Sequence, residues 1–143
     1  MVFVDTGGWI ALAVKRDRFH KIAATYYRKQ SKNKVRLITS NYILAETYTR
    51  IRYDDGHAEA LQFNAIIQEA ITVGRLYLQW VTPAVHEEAW RIFENYEDQD
   101  FSFVDCTSFI ITKHSGEKEI FGFDNHFKTM GFILKPAITE SLH

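Results

Sequence analysis

A single cysteine, Cys106, stands among the 143 residues, so no disulfide can close within the chain and a reducing compartment is expected. Prolines number only two and glycines seven, too few for a disordered or fibrous chain. No apolar run approaches the roughly 20 residues that cross a bilayer, so no membrane association is expected. The Met1-Val-Phe-Val segment meets Asp5 without the basic leader or long apolar stretch of a secretory signal, and the expected location is the cytoplasm. Charge of one sign is lacking as well, since the net charge is −1.

Apolar and aromatic side chains are plentiful. With 11 Phe, 7 Tyr and 3 Trp, the chain can build a core without disulfides or a structural metal. Its length fits one domain over residues 1–143. The charges are unevenly spread. From Lys15 to Arg36 there are nine basic residues and one acid, which leaves the remainder acidic. A basic surface facing an acidic site is what a protein needs to hold a phosphate backbone while cations sit on carboxylates. The same run also reads as an ordinary solvated helix face.

Strand and helix signals alternate along the chain. Val2 to Val4 reads as a buried strand, ended by Asp5-Thr6-Gly7-Gly8. Helices follow near Trp9 to Lys15 and over Arg18 to Lys32, the second with Phe19, Ile22, Ala23 and Tyr26 on its inner stripe. Val35 to Ile38 is the second strand. Thr39-Ser40-Asn41 then caps a helix that runs to Tyr53. His57 to Thr72 is helical, Leu76 to Val81 extended, and Pro83 opens a helix to Tyr96. Ser102 to His114 is the next helix, Ile120 to Phe123 a fourth strand and Phe132 to Leu134 a fifth. This alternation predicts a parallel α/β sheet covered by helices on both faces.

In such sheets ligands bind beyond the carboxyl ends of the strands. Asp5 and Asp124 each follow directly on an apolar strand and should lie along that edge. Asp105 sits in Phe103-Val104-Asp105-Cys106-Thr107, on a helix apolar around most of its circumference, where an ionised carboxylate is costly unless paired or bound to a cation. A second reading of Asp105 is a capping box with Ser102, three residues earlier. Glu46, taken alone, reads as half of an exposed ion pair with Arg50 one turn on.

Four stretches together resemble the PIN-domain family, and within it the VapC-type toxin ribonucleases and their solitary relatives. They are Val4-Asp5-Thr6-Gly7, Thr39-Ser40 leading to Ala45-Glu46, the run from Asp98 to Phe109, and Phe121-Gly-Phe-Asp124-Asn-His-Phe127 continuing to Gly131-Phe132. The resemblance implies a three-layer α/β/α domain whose parallel sheet has order 3-2-1-4-5. It implies an acidic site of Asp5, Glu46, Asp105 and Asp124, with Thr6 and Thr107 as supporting hydroxyls. It also implies an RNA substrate, a cognate antitoxin and a homodimer.

Carboxylates without a Cys or His cluster favour a hard cation, Mg²⁺ or Mn²⁺. The expected reaction is hydrolysis of RNA to a 5′-phosphate and a 3′-hydroxyl, with Asp5 and Asp105 holding the principal cation. Asp124 would hold a second ion or orient a water, and Glu46 would share a cation or act as base. Arg28, Lys29 and Lys32 are the expected surface for RNA or an acidic partner helix. A rival from another class is an idle PIN-like module that binds RNA or protein without turnover. His126 reads as a turn residue bonded to Asp124 more readily than as a proton shuttle, and His57 and His114 as helix-end residues. Cys106 reads as packing, and Trp9, Trp80 and Trp90 as core or interface. Gly7-Gly8 lacks the lysine and hydroxyl of a phosphate loop.

Overall fold

In a parallel sheet clothed by helices the central strands have no solvent face, so their side chains are apolar or, where polar, hydrogen-bonded. Strand β1 (Val2–Val4) meets this condition, with all three residues buried although neighbours point to opposite faces. It pairs in parallel with β2 (Leu37–Ser40) through Val2↔Leu37 and with β4 (Glu119–Phe121) through Phe3↔Ile120. Strands β3 (Leu76–Gln79) and β5 (Ile133–Lys135) take the edges, which gives the order β3-β2-β1-β4-β5 expected from the resemblance. The structure, a computed structural model, describes residues 1–138, so residues 139–143 of the expected domain lie outside the described residues.

The helices form two packed sets. Helix α1 (Thr6–Ala13) packs on α2 (His20–Lys32) and α3 (Asn41–Asp54), and α3 packs on α4 (His57–Thr72). In the other set α5 (Pro83–Asn95) packs on α6 (Phe103–Ser115), which also meets the short α7 (His126–Thr129). The result is a three-layer α/β/α fold.

Several boundaries move for identifiable reasons. Helix α1 begins at Thr6, not near Trp9, because Gly7 and Gly8 belong to its first turn. A Cβ on Gly8 would lie 2.5 Å from the carbonyl oxygen of Phe121, so only glycine lets α1 cross the end of β4. Strand β2 runs to Ser40, whose hydroxyl then caps α3 by accepting from the Ile43 N–H at 3.1 Å. Strand β3 stops at Gln79, and the Val81 N–H is taken by the Asn41 side chain instead of a ladder partner. Helix α2 starts at His20 rather than Arg18, since Asp17 closes a turn there. Helix α7 was not expected; the turn after Asp124 winds on into four helical residues.

Candidate active site

The backbone first fixes where the acids stand. The Asp5 N–H extends the β1–β4 ladder by donating to Phe121 O at 3.0 Å, which sets Asp5 at the carboxyl edge beside the end of β4. Asp124 follows β4 three residues after Phe121. Asp105 arrives from another layer, at the third position of α6. The capping box of Ser102 and Asp105 is present, with the Ser102 N–H donating to Asp105 Oδ2 at 3.1 Å and the Asp105 N–H to Ser102 Oγ at 3.0 Å. The two readings of Asp105 therefore coexist, because the cap holds the carboxylate toward the other acids.

Burial and mutual repulsion then set the electrostatics. Asp5 is only 6% exposed, occupies the N-cap position of α1 and makes no side-chain cap bond. Burial, followed by the charge of Asp105, pushes its pKa up to about 7; Asp124 and Glu46 add to the rise, and only the Thr6 N–H opposes it. The other three expected acids thus all act on Asp5. Glu46 stands half-buried on α3, and among the described residues it forms no ion pair with Arg50, so the exposed-pair reading fails.

His126 holds a place that spacing alone did not reveal. Its Nδ1 lies 3.0 Å from Asp105 Oδ2 and 3.3 Å from Asp124 Oδ1, while its backbone N–H donates to Asp124 Oδ1 at 2.9 Å. Burial works against a charged imidazole there, but the hydrogen bond to Asp105 and the charges of Asp124, Asp105 and Asp100 outweigh it and raise the pKa. The hydrogen bond to Asp124 was expected; the bridge to Asp105 was not. The signal available was the Asp-x-His spacing on a turn, which puts both side chains on one side.

Ligand atoms of Asp105, Asp124 and His126 lie within 4.8 Å of one another. Asp105 is 8% exposed and Asp5 less, so a carboxylate pair at this depth calls for a counter-cation. The Thr6 hydroxyl beside them is buried without a hydrogen-bond partner. Oxygen donors dominate the set, which fits a hard divalent cation. Thr107 is fully buried, and its hydroxyl donates to Val104 O at 2.7 Å within its own helix.

The remaining candidates fall elsewhere. Cys106 is buried, and burial together with Asp105 pushes its thiol up to about 11, which leaves it a packing residue. Trp9 is core, donating to Thr39 Oγ1 at 3.2 Å. Trp80 and Trp90 are 63% and 49% exposed, so neither belongs to the core. His114 pairs with Glu88 at 3.1 Å on the outside of α5 and α6. Arg28, Lys29 and Lys32 are exposed on the later turns of α2, about 12 to 18 Å of helix rise beyond His20.

Comparison with known proteins agrees with this geometry. The family model described as PIN domain matches residues 2–133. The 23S rRNA-specific endonuclease VapC20 of Mycobacterium tuberculosis is 35% identical over 133 residues, covering 93% of this chain and 96% of that protein, in both strain CDC 1551 / Oshkosh and strain ATCC 25618 / H37Rv. The crystal structure of Mycobacterium tuberculosis VapC20, described as a sarcin-ricin loop cleaving toxin, superposes with a TM-score of 0.79 at 30% identity, covering 93% of this chain and 97% of that one.

Proposed function

The chain belongs to the PIN-domain family, and on that premise we propose that it is a metal-dependent endoribonuclease of the VapC toxin type acting on 23S rRNA at the sarcin–ricin loop. The observation that carries the reading is the cluster of Asp105, Asp124 and His126, whose ligand atoms lie within 4.8 Å of one another, together with the buried Asp5 that feels the charges of Asp105, Asp124 and Glu46. The whole of residues 1–143 acts as one nuclease domain, and its place of action is the cytoplasm. No helix among the described residues is long and apolar enough to cross a membrane.

Asp5 and Asp105 would hold the principal cation, Mg²⁺ or Mn²⁺, with Asp124 and Glu46 completing the acidic set. A divalent ion bound there supplies a Lewis acid that offsets charge on the reacting phosphate. Asp124 would hold a second ion or orient the attacking water, and Glu46 would share the cation or take the water's proton. Water oxygen bonds to phosphorus in line with the P–O3′ bond, which breaks to leave a 5′-phosphate and a 3′-hydroxyl. His126 Nδ1–H keeps the Asp105 and Asp124 carboxylates in register. Thr6 and Thr107 would serve as supporting hydroxyls, Thr6 through its unpartnered buried hydroxyl and Thr107 by bracing the first turns of α6.

Partners follow the same reading. A cavity of about 460 Å³ between α1, α2 and α4 is lined by Leu12, Phe63 and Ile66 with Lys15 and Arg28 among its residues, and an amphipathic acidic segment of an antitoxin suits it. Exposed Trp90 and Phe93 on α5 suit a homodimer contact. Arg28, Lys29 and Lys32 serve as the surface for RNA or the antitoxin.

Primer extension on 23S rRNA from ribosomes incubated with the protein and Mg²⁺ tests the substrate. One new end within the sarcin–ricin loop is expected. An intact loop beside cuts elsewhere would overturn the target, and no cut in any RNA would favour the idle binding module.

A further inference from the structure

One feature on the rim of the acid cluster has no part in the chemistry above. Phe123, half-buried, separates β4 from Asp124. The ring of Phe19 stacks on it, with centroids 4.3 Å apart and planes 14° from parallel. Arg18 carries the stack outward, its guanidinium carbon 4.3 Å from the Phe19 centroid. Asp17 fixes the turn, since its Oδ1 accepts from the Phe19 N–H at 2.9 Å and its carbonyl from the His20 N–H at 3.0 Å. The Asp17 carboxylate is thereby engaged with backbone. Among the described residues Arg18 is exposed and has no ion-pair or hydrogen-bond partner.

An exposed cation on an aromatic face contributes little to folding, so stability alone is a weak reason for this ladder. Its position is a stronger one. RNA entering the site brings phosphates toward four carboxylates, and a fixed cation at the rim offsets that repulsion. Two other basic residues are less well placed. Arg16 is tied to Asp55 and to the end of α3, and Lys32 lies about 18 Å of helix rise beyond His20.

We propose that Arg18, held by Phe19 and Phe123, is a substrate-positioning residue that grips an RNA backbone phosphate next to the scissile bond. The inference rests on the endoribonuclease reading. With one face on Phe19, the guanidinium keeps its in-plane N–H donors free for two phosphate oxygens. A lysine would supply the charge but neither the fork nor the stack.

The test is binding of a fluorescently labelled RNA hairpin carrying the sarcin–ricin loop to Asp5→Asn protein, which removes cleavage from the measurement. Arg18→Ala and Arg18→Lys are compared with that parent over a range of KCl concentrations. Arg18→Ala is expected to weaken binding about tenfold and to reduce the slope of log Kd against log salt by about one. Arg18→Lys is expected to restore the slope and only part of the affinity. In otherwise wild-type protein, Arg18→Ala should raise KM about tenfold and leave kcat within about twofold. Unchanged Kd and salt slope would overturn the proposal, including where Tm falls and the residue proves to be packing alone. If wild type cuts no RNA, the endonuclease reading fails while the binding comparison still decides the role of Arg18. A parent that binds no hairpin overturns both.

Discussion

Gly122 and Asp5 lie so close that a Cβ on the glycine would stand 3.0 Å from Asp5 Cβ and 3.6 Å from its Oδ2. The missing side chain is what lets a buried carboxylate face the other acids. Gly122→Ala should push Asp5 by a few tenths of an ångström, lowering kcat about tenfold or more while costing only about 1 kcal/mol of stability. Cleavage kinetics and thermal unfolding of the same preparation check this.

Gly8→Ala should behave in the opposite way. Its Cβ would meet the Phe121 carbonyl at 2.5 Å, and backbone cannot step aside as a side-chain tip can. The expected loss is about 3 kcal/mol, read as a lowered urea midpoint. Activity per folded molecule should fall less than in Gly122→Ala, because α1 moves before the acids do.

Asp5 gives the metal-free protein a pH signature. The folded state keeps its proton up to about 7, whereas the unfolded chain releases it near the ordinary carboxyl value of 3.8. Between those values the folded state binds the extra proton, so stability falls as pH rises and the full loss, about 4 kcal/mol, is reached above 7. Asp5→Asn should lack this fall and be more stable than wild type at pH 8 in EDTA. Added Mn²⁺ should raise the Tm of wild type there and barely that of the variant. Identical pH profiles for the two proteins would contradict the assignment.

Asp105 serves both helix and site, so its substitutions should separate. Asp105→Asn keeps an oxygen for the Ser102 N–H and should lose activity with little change in Tm. Asp105→Ala loses both, with a further cost of about 1 kcal/mol from the cap. Cleavage assays and thermal melts of the pair distinguish the two contributions.

Charge reversal of Arg28, Lys29 and Lys32 should raise KM for RNA less than Arg18→Ala does, since these residues lie along α2 away from the end that Phe19 pins to Phe123. A larger effect from the triple change would place the stronger grip on RNA along the body of α2 and not at Arg18.

Much of this was legible in the chain itself. Val2 to Val4 could only be a central strand, and an aspartate after each of two apolar strands marked the edge where the site lies. Sequence separation hid the rest. Asp105 and His126 are 21 residues apart and meet only because α7 turns back toward the start of α6. Arg18 read as one of nine basic residues, and its distinction is the ring beneath it, which depends on Phe123 more than 100 residues later. Glu46 carried no signal without the fold, because its neighbours on α3 offered an ordinary pairing that the structure does not use.

The central claim is most directly tested by cleavage of a sarcin–ricin loop RNA with wild type and Asp5→Asn, each in Mg²⁺, Mn²⁺ or EDTA. The account predicts cuts by wild type with either ion, none in EDTA and none by the folded variant under any condition. Cleavage that persists in EDTA, or an Asp5→Asn protein as active as wild type, would contradict it.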